Sequence, residues 1–159
     1  MTQTTASGAR LDYETFQQLI PEMPRGMAVI TRAVKDSGLE LELIELIKIR
    51  VSQINGCAFC VQFHLNDARK LNVPAEKLDL LATWREAGTF SDREYAALHW
   101  AERVTLLAEH HVSDNAYAKV AAHFSEREIA VLTTAIGQIN FWNRVAAPFR
   151  FTPPIPQSS

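Results

Sequence analysis

The sequence predicts an all-α fold, a helical bundle. Apolar residues recur at helical spacing, as in Ile44, Ile47, Val51 and Ile54. Two serine-x-x-glutamate capping boxes precede long apolar-periodic runs. No segment combines β-branched alternation with hairpin turn residues, so packed helices are the simplest architecture.

Capping and breaking residues define the first two helices. Asp12 is a candidate N-cap for a short helix through Ile20, after which Pro21 and Pro24 break the pattern. A second helix is predicted for residues 26–35.

The third and fourth helices are predicted to form a hairpin. Residues 41–54 keep helical spacing, and Asn55-Gly56 then interrupts it. The fourth helix therefore begins at Cys57 or Ala58 and runs antiparallel to the third.

Four further helices follow. Pro74 suits a first helical turn and Gly88 a helix end, which predicts one helix of about three to four turns. The capping boxes at 91–94 and 125–128 begin two long helices, and Ser113 caps a shorter one between them.

Length and composition indicate one domain. The chain has 159 residues, of which 47% are hydrophobic, enough for a single core at residues 11–150. Residues 1–10 are small and polar and residues 151–159 are rich in proline and serine, so both are predicted to be flexible tails.

Charge and hydropathy exclude several classes of partner. The net charge is only -2 and the signs are interspersed, which argues against nucleic acid and anionic membranes. No secretory signal pattern and no apolar run of transmembrane length is visible, so we expect a cytoplasmic protein.

The two cysteines, Cys57 and Cys60, are the only ones in the chain. A pair so closely spaced closes too small a loop to stabilise a fold, which favours a catalytic, redox-sensing or metal-binding role. In the first turn of a helix, the dipole and the unpaired N–H groups favour a thiolate. We expect Gly56 to leave the sulfurs accessible.

An acid and a base accompany the dithiol. In a helix, Cys57, Cys60 and His64 share one face. In a hairpin that turns at residues 55 and 56, Glu45 comes level with His64. The order is then carboxylate, imidazole, thiol, in which Glu45 orients His64 and His64 takes a proton from Cys60.

Structural alternatives exist for each of these residues. Cys57, Cys60 and His64 could bind zinc, although a structural site needs a fourth ligand. Glu45 could simply pair with Lys48 on a solvated face, and His64 could be a core histidine. The cysteines could be inert buried side chains.

Three polar residues interrupt the last apolar helix. Asn140, Asn143 and Arg144 need partners there. They predict buried hydrogen bonds or a seam between subunits, or else a wall of the substrate pocket.

Glu45, the Cys57-Ala58-Phe59-Cys60 motif and His64 together resemble the AhpD-like alkylhydroperoxidase branch of the carboxymuconolactone decarboxylase superfamily. The lead-in at residues 48–56 and the helix at 136–144 are similar to the same family. Phe59 stands where some members carry a histidine. The decarboxylase branch lacks the dithiol, so the resemblance is to the peroxidase branch.

The resemblance implies an AhpD-like helical bundle with the CxxC motif at the start of a central helix, assembled as a homo-oligomer, a trimer or hexamer. It implies a peroxiredoxin-type antioxidant oxidoreductase that reduces organic hydroperoxides, with hydrogen peroxide as a second candidate substrate. Cys60 would attack the peroxide, Cys57 would resolve the sulfenic acid to a disulfide, His64 would be the base and Glu45 would complete the relay. No cofactor or metal is implied, and a lipoyl or thioredoxin-like dithiol would be the reductant.

Other functions remain open on the residues alone. The dithiol could serve thiol-disulfide exchange or redox sensing without peroxidase turnover, or the chain could be a non-catalytic binding module. The helix dipole favours the more N-terminal thiol as the thiolate, so the roles of Cys57 and Cys60 could also be reversed.

Overall fold

The computed structural model describes residues 8–157, and this part of the chain contains nine α-helices and no strand. The all-α prediction is confirmed. The helices are α1 (Tyr13–Leu19), α2 (Glu22–Lys35), α3 (Leu41–Ile54), α4 (Ala58–Lys70), α5 (Ala75–Leu80), α6 (Trp84–Ala87), α7 (Asp92–Thr105), α8 (Asp114–Ala121) and α9 (Glu126–Phe149). A 3-10 turn, Leu81–Thr83, joins α5 to α6.

Helix α3 lies at the centre of the bundle. It packs against α4, α7 and α9, and Leu46, Ile47 and Ile49 on it are fully buried. A helix that is apolar around most of its circumference is stable only when neighbours cover it on several sides. The site residues on α3 are therefore held by the most deeply packed element of the fold.

Most predicted helix starts are confirmed. The side chains of Asp12, Ser91, Ser113 and Ser125 each accept a hydrogen bond from a backbone N–H in the first turn of their helices. The boxes at Ser91 and Ser125 are reciprocal, because the glutamate three residues later accepts from the serine backbone N–H.

The predicted start of the second helix was wrong. Helix α2 begins at Glu22 instead of residue 26, and Pro24 occupies its third position. A proline is tolerated there because the first four N–H groups of a helix have no intrahelical partner.

The single helix predicted between Pro74 and Gly88 is divided into α5, the 3-10 turn and α6. Leu78, Leu81 and Trp84 are all buried and are spaced by three residues. That spacing is the period of a 3-10 helix, which aligns i and i+3, so packing of these side chains decides the local geometry.

The corner between α3 and α4 is a Schellman motif. Gly56 has φ 67°, its N–H donates to Gln53 O at 3.3 Å, and the Cys57 N–H donates to Ser52 O at 3.0 Å. Cys57 then serves as the N-cap of α4. The predicted turn at Asn55-Gly56 is confirmed. Cys57 takes part in both helix ends, because its N–H closes α3 and its side chain caps α4.

Side-chain amides anchor this corner to α9. Asn55 Nδ2 donates to Asn140 Oδ1 at 3.0 Å and to Asn143 Oδ1 at 2.8 Å. Asn143 Nδ2 in turn donates to Ser52 Oγ at 3.0 Å. Buried hydrogen bonds, one of the predicted alternatives, are thus found for Asn143 and in part for Asn140, whereas Arg144 is exposed and donates to Asn140 Oδ1 at 2.8 Å.

The chain stays in contact with the bundle at both ends of the described range. The Arg10 N–H donates to Phe149 O at 2.9 Å, and Phe151 is buried. Residues 1–7 and 158–159 of the predicted tails lie outside the described residues, and the boundaries at 10 and 151 stay predictions. Among the described helices, none is long and apolar enough to cross a bilayer.

We expect Asn143→Ala to lower the free energy of unfolding by about 2–3 kcal/mol, because the Ser52 hydroxyl and the Asn55 amide each lose a hydrogen bond away from solvent. Urea denaturation measures the change. The control is Asn115→Ala at an exposed position of α8, where we expect about 0.5 kcal/mol or less. Equal effects of the two substitutions would contradict a structural role for the amide network.

Candidate active site

The two cysteines are joined as a disulfide at the beginning of α4, with their Cα atoms 5.4 Å apart. Cys57 is the N-cap, and its sulfur accepts a hydrogen bond from the Cys60 N–H at 3.3 Å. Only 1% of Cys57 and 3% of Cys60 is exposed. The expectation that Gly56 leaves the sulfurs accessible was wrong, because the corner turns them toward the packed bundle.

Glu45 and His64 are in direct contact across the hairpin. His64 Nδ1 lies 2.6 Å from Glu45 Oε2. When the imidazole is neutral, this contact favours the tautomer that donates from Nδ1, in which Nε2 is the proton acceptor. The predicted pairing of these two positions is thus what the structure contains.

Lys48 completes a buried charge cluster on the other side of the carboxylate. Lys48 Nζ donates to Glu45 Oε1 at 3.3 Å, and 6% of Glu45 and 7% of Lys48 is exposed. The ion pair considered from the sequence therefore exists, but it is buried and shared with His64 instead of lying on a solvated face.

One cavity of about 550 Å³ brings these groups together with one of the sulfurs. Cys60, His64, Glu45 and Lys48 all line it, whereas Cys57 does not. Cys60 and His64 stand one turn apart on α4, so both project to the same side. The proposed nucleophile, base and carboxylate thus share a single space.

Aromatic side chains form much of the remaining wall. Tyr13 from α1, Phe59 and Phe63 from α4, and Trp142 from α9 line the cavity. Ring centroids of Phe59 lie 5.4 Å from Tyr13 and 6.0 Å from Phe63. Phe59 therefore contributes apolar surface at the position where some members of the family that the sequence resembles carry a histidine.

Helix α2 closes the cavity from the side. Gln138 Nε2 on α9 donates to Met27 O at 2.9 Å and to Thr31 Oγ1 at 2.8 Å. Met27, Thr31 and Gln138 all line the cavity. These hydrogen bonds fix α2 to α9, so the wall is part of the folded bundle.

A family comparison agrees with this arrangement. The sequence profile of the carboxymuconolactone decarboxylase family matches residues 21–103, which include Glu45, both cysteines and His64. The chain belongs to this family. It is an AhpD-like member, with the CxxC motif at the start of α4.

Three relatives illustrate the likeness of this family member. The uncharacterized protein YdfG of Bacillus subtilis (strain 168) is 38% identical over 132 residues, 83% of this chain and 90% of the relative. A crystal structure from Agrobacterium tumefaciens is 39% identical with a TM-score of 0.87, covering 94% of this chain and all of the other. It is described as a protein of unknown function with a suggested antioxidant defence role as AhpD.

A structure with lower sequence identity has the same fold. An uncharacterized peroxidase-related protein with an alkylhydroperoxidase AhpD core, from Ralstonia eutropha JMP134, is 23% identical with a TM-score of 0.77. The match covers 87% of this chain and 74% of that one. At this identity the likeness concerns the fold alone.

In this AhpD-like protein, the surroundings of Glu45 decide its charge. Burial by itself raises the pKa of Glu45, but the hydrogen bond and charge of His64 and the charge of Lys48 outweigh burial. The net pKa of Glu45 lies below its ordinary value of 4.5. The carboxylate is therefore ionised at neutral pH and can orient His64.

The zinc ligands considered from the sequence are not all free in the oxidised form that the structure describes. The two thiols are bonded to each other, and the only compact group of three ligand side chains among the described residues is Glu45, His64 and Asp67. Lys48 already occupies one oxygen of Glu45, and a buried ammonium so close opposes a second cation.

Sequence reasoning missed two parts of the site. Lys48 was considered only as a surface partner of Glu45, although its position three residues away on an apolar helix already indicated a buried pair. Tyr13 and Met27 reach the cavity from α1 and α2, which no motif connects to the dithiol.

We expect Glu45→Gln to lower the free energy of unfolding by about 1–3 kcal/mol at neutral pH, because Lys48 and His64 lose a buried anion. Since the folded-state pKa of Glu45 is lowered, its stabilising contribution is complete above about 4.5 and disappears as the pH falls through the folded-state value. The difference between wild type and variant should shrink over that range in urea denaturation. Glu42→Gln, at an exposed position of α3, should show no such convergence.

Proposed function

We propose that this protein is a thiol peroxidase that reduces organic hydroperoxides through a dithiol-disulfide cycle. The observation that carries the proposal is the shared cavity of Cys60, His64 and Glu45. The antioxidant defence role suggested for the relative from Agrobacterium tumefaciens supports the same chemistry.

The first step is oxidation of Cys60. His64 Nε2 takes the thiol proton, and the Cys60 thiolate attacks one peroxide oxygen. The O–O bond breaks, the sulfur gains a hydroxyl group as a sulfenic acid, and the departing alkoxide takes the proton from the imidazolium as an alcohol. Glu45, which touches His64 at 2.6 Å, stabilises the imidazolium between these two transfers.

The second step forms the disulfide. The Cys57 thiol gives up its proton and its sulfur attacks the sulfur of the Cys60 sulfenic acid, and the hydroxyl group takes up that proton and leaves as water. Cys57 is suited to this role because the Cys60 N–H and the end of α4 both stabilise negative charge on its sulfur. The dipole that favours a Cys57 thiolate is thus consistent with Cys57 as the resolving thiol.

The cavity favours an organic peroxide as substrate. A volume of about 550 Å³ lined by four aromatic side chains offers far more apolar surface than hydrogen peroxide can occupy. Burial of an alkyl or aryl group against Phe63 and Trp142 supplies binding free energy that hydrogen peroxide lacks. We therefore infer a preference for bulky hydroperoxides.

Thiol-disulfide exchange is the second candidate function. It is favoured by the placement of Cys57 away from the cavity that holds His64. In that case the reduced protein would react slowly with peroxide and rapidly with a small disulfide.

We expect the reduced wild type to lose two hydrogens after one equivalent of cumene hydroperoxide, whereas Cys57→Ser gains one oxygen and Cys60→Ser stays unchanged. Intact-mass and free-thiol analysis over seconds to minutes measures all three proteins. If the results for the two variants are exchanged, Cys57 is the peroxidatic residue. If all three stay reduced while a small disulfide oxidises the wild type, the exchange function replaces the peroxidase.

We expect His64→Gln to slow oxidation by cumene hydroperoxide about 100-fold at neutral pH, because no base then removes the Cys60 proton. The rate of this variant should recover as the pH rises, because the Cys60 thiol then ionises without help from a base. Stopped-flow kinetics against pH separate this role from a structural one, since a misfolded variant would not recover. His123→Gln, an exposed histidine outside the cavity, is the control.

A further inference from the structure

The disulfide separates two cavities. Cys60 lines the cavity of about 550 Å³ described above, and Cys57 lines a second one of about 500 Å³. Neither sulfur-bearing residue lines both cavities. Each cysteine of the oxidised protein therefore borders a cavity of its own, although little of either side chain is exposed.

The second cavity is built from the corner, the start of α4 and the C-terminal segment. Gln53, Ala58 and Val61 form one side, and Pro153 and Ile155 form the other. Asn66 Nδ2 donates to Pro154 O at 2.8 Å, which attaches the C-terminal segment to α4. The wall is thus formed by the fold itself.

The two cavities differ in charge. Glu45 and Lys48 are among several charged side chains that line the first, whereas no charged side chain of the described residues lines the second. An ionised thiol compound would lose hydration in the second cavity without gaining an ion pair there. An uncharged thiol with an apolar stem fits these surroundings best.

We propose that the second cavity is the entry site for the reducing thiol, an uncharged dithiol that attacks Cys57. The inference rests on the proposed function in one respect, that peroxide enters at the opposite side and oxidises Cys60. Oxidation and re-reduction then use different faces of one disulfide, and the spent alcohol and the reductant do not compete for one cavity.

The step balances in atoms and electrons. A thiolate of the reductant attacks Cys57 Sγ, the bond between the two cysteines breaks, and a mixed disulfide forms on Cys57. Cys60 leaves as a thiolate and takes up, through His64, the proton that the attacking thiol released. The second thiol of the reductant then attacks the mixed disulfide, so the reductant becomes a cyclic disulfide and Cys57 is released as a thiolate.

The surroundings of the two sulfurs match this order of departure. Cys60 leaves first into the cavity that contains His64, the group that can protonate it. Cys57 leaves second, and the Cys60 N–H at 3.3 Å and the start of α4 stabilise its thiolate. Attack on Cys60 would instead require the thiol to enter the charged cavity.

The first test identifies the sulfur that is attacked. Wild-type disulfide is prepared with diamide instead of peroxide, treated with the uncharged monothiol 2-mercaptoethanol, and quenched with acid. Peptide fragmentation then locates the adduct. We expect it on Cys57; an adduct that forms first on Cys60 would overturn the proposal.

The second test identifies the cavity. Ala58, the exposed first residue of α4, lines only the second cavity. We expect Ala58→Trp to slow reduction of the diamide-generated disulfide by dithiothreitol about tenfold or more, because a thiol must reach the sulfur it attacks. Ala75→Trp is the matched control, since Ala75 is the exposed first residue of α5 and lines neither cavity. Equal rates for the two variants would overturn the proposal.

The third test concerns charge. Reduction rates with 2-mercaptoethanol and with the anionic mercaptoacetate are each normalised to the rate of the same thiol with a free disulfide. We expect the uncharged thiol to be about tenfold more effective on the protein, and a ratio near one would contradict the uncharged reductant. Because diamide forms the disulfide in every case, these results do not depend on whether peroxide oxidises the protein.

Discussion

The corner between α3 and α4 determines where every reactive atom of this protein lies. Two backbone hydrogen bonds and a left-handed Gly56 close α3, and the amide groups of Asn55 and Asn143 attach the corner to α9. Cys57 follows at once as the N-cap of α4. Since this corner sets the position of α4 relative to α3, it places Glu45 opposite His64 and also sets the positions of the two cysteines.

The electrostatics of the site follow from its depth in the bundle. A carboxylate at the position of Glu45 would be protonated more readily if it were buried alone. Lys48 and His64 reverse that tendency, and they do so on opposite oxygens of the same group. The result is an ionised acid that is shielded from solvent, which is the condition under which a carboxylate orients a neighbouring histidine most strongly.

The same corner gives the two cysteines unequal surroundings. Cys60 shares a cavity with a base and an aromatic wall, whereas Cys57 accepts a backbone N–H and borders an uncharged cavity. A division of labour between a substrate-facing and a partner-facing sulfur is the proposal that unites these observations. Its structural basis is the place of each cysteine: Cys60 lines the cavity that contains His64, and Cys57, the N-cap of α4, lines the cavity at the corner.

The sequence by itself determined the all-α class, the capped starts of α1, α7, α8 and α9, and the antiparallel hairpin that pairs Glu45 with His64, because caps, turns and helical periodicity are local signals. Tertiary structure decided the rest. The 3-10 turn before Trp84 depends on which side chains the core accepts, and the burial of the cysteines depends on how the corner packs against α9. Tyr13 and Met27 join the cavity only because α1 and α2 fold back over α4 and α9, and contacts between residues so far apart in the chain leave no periodic trace in it.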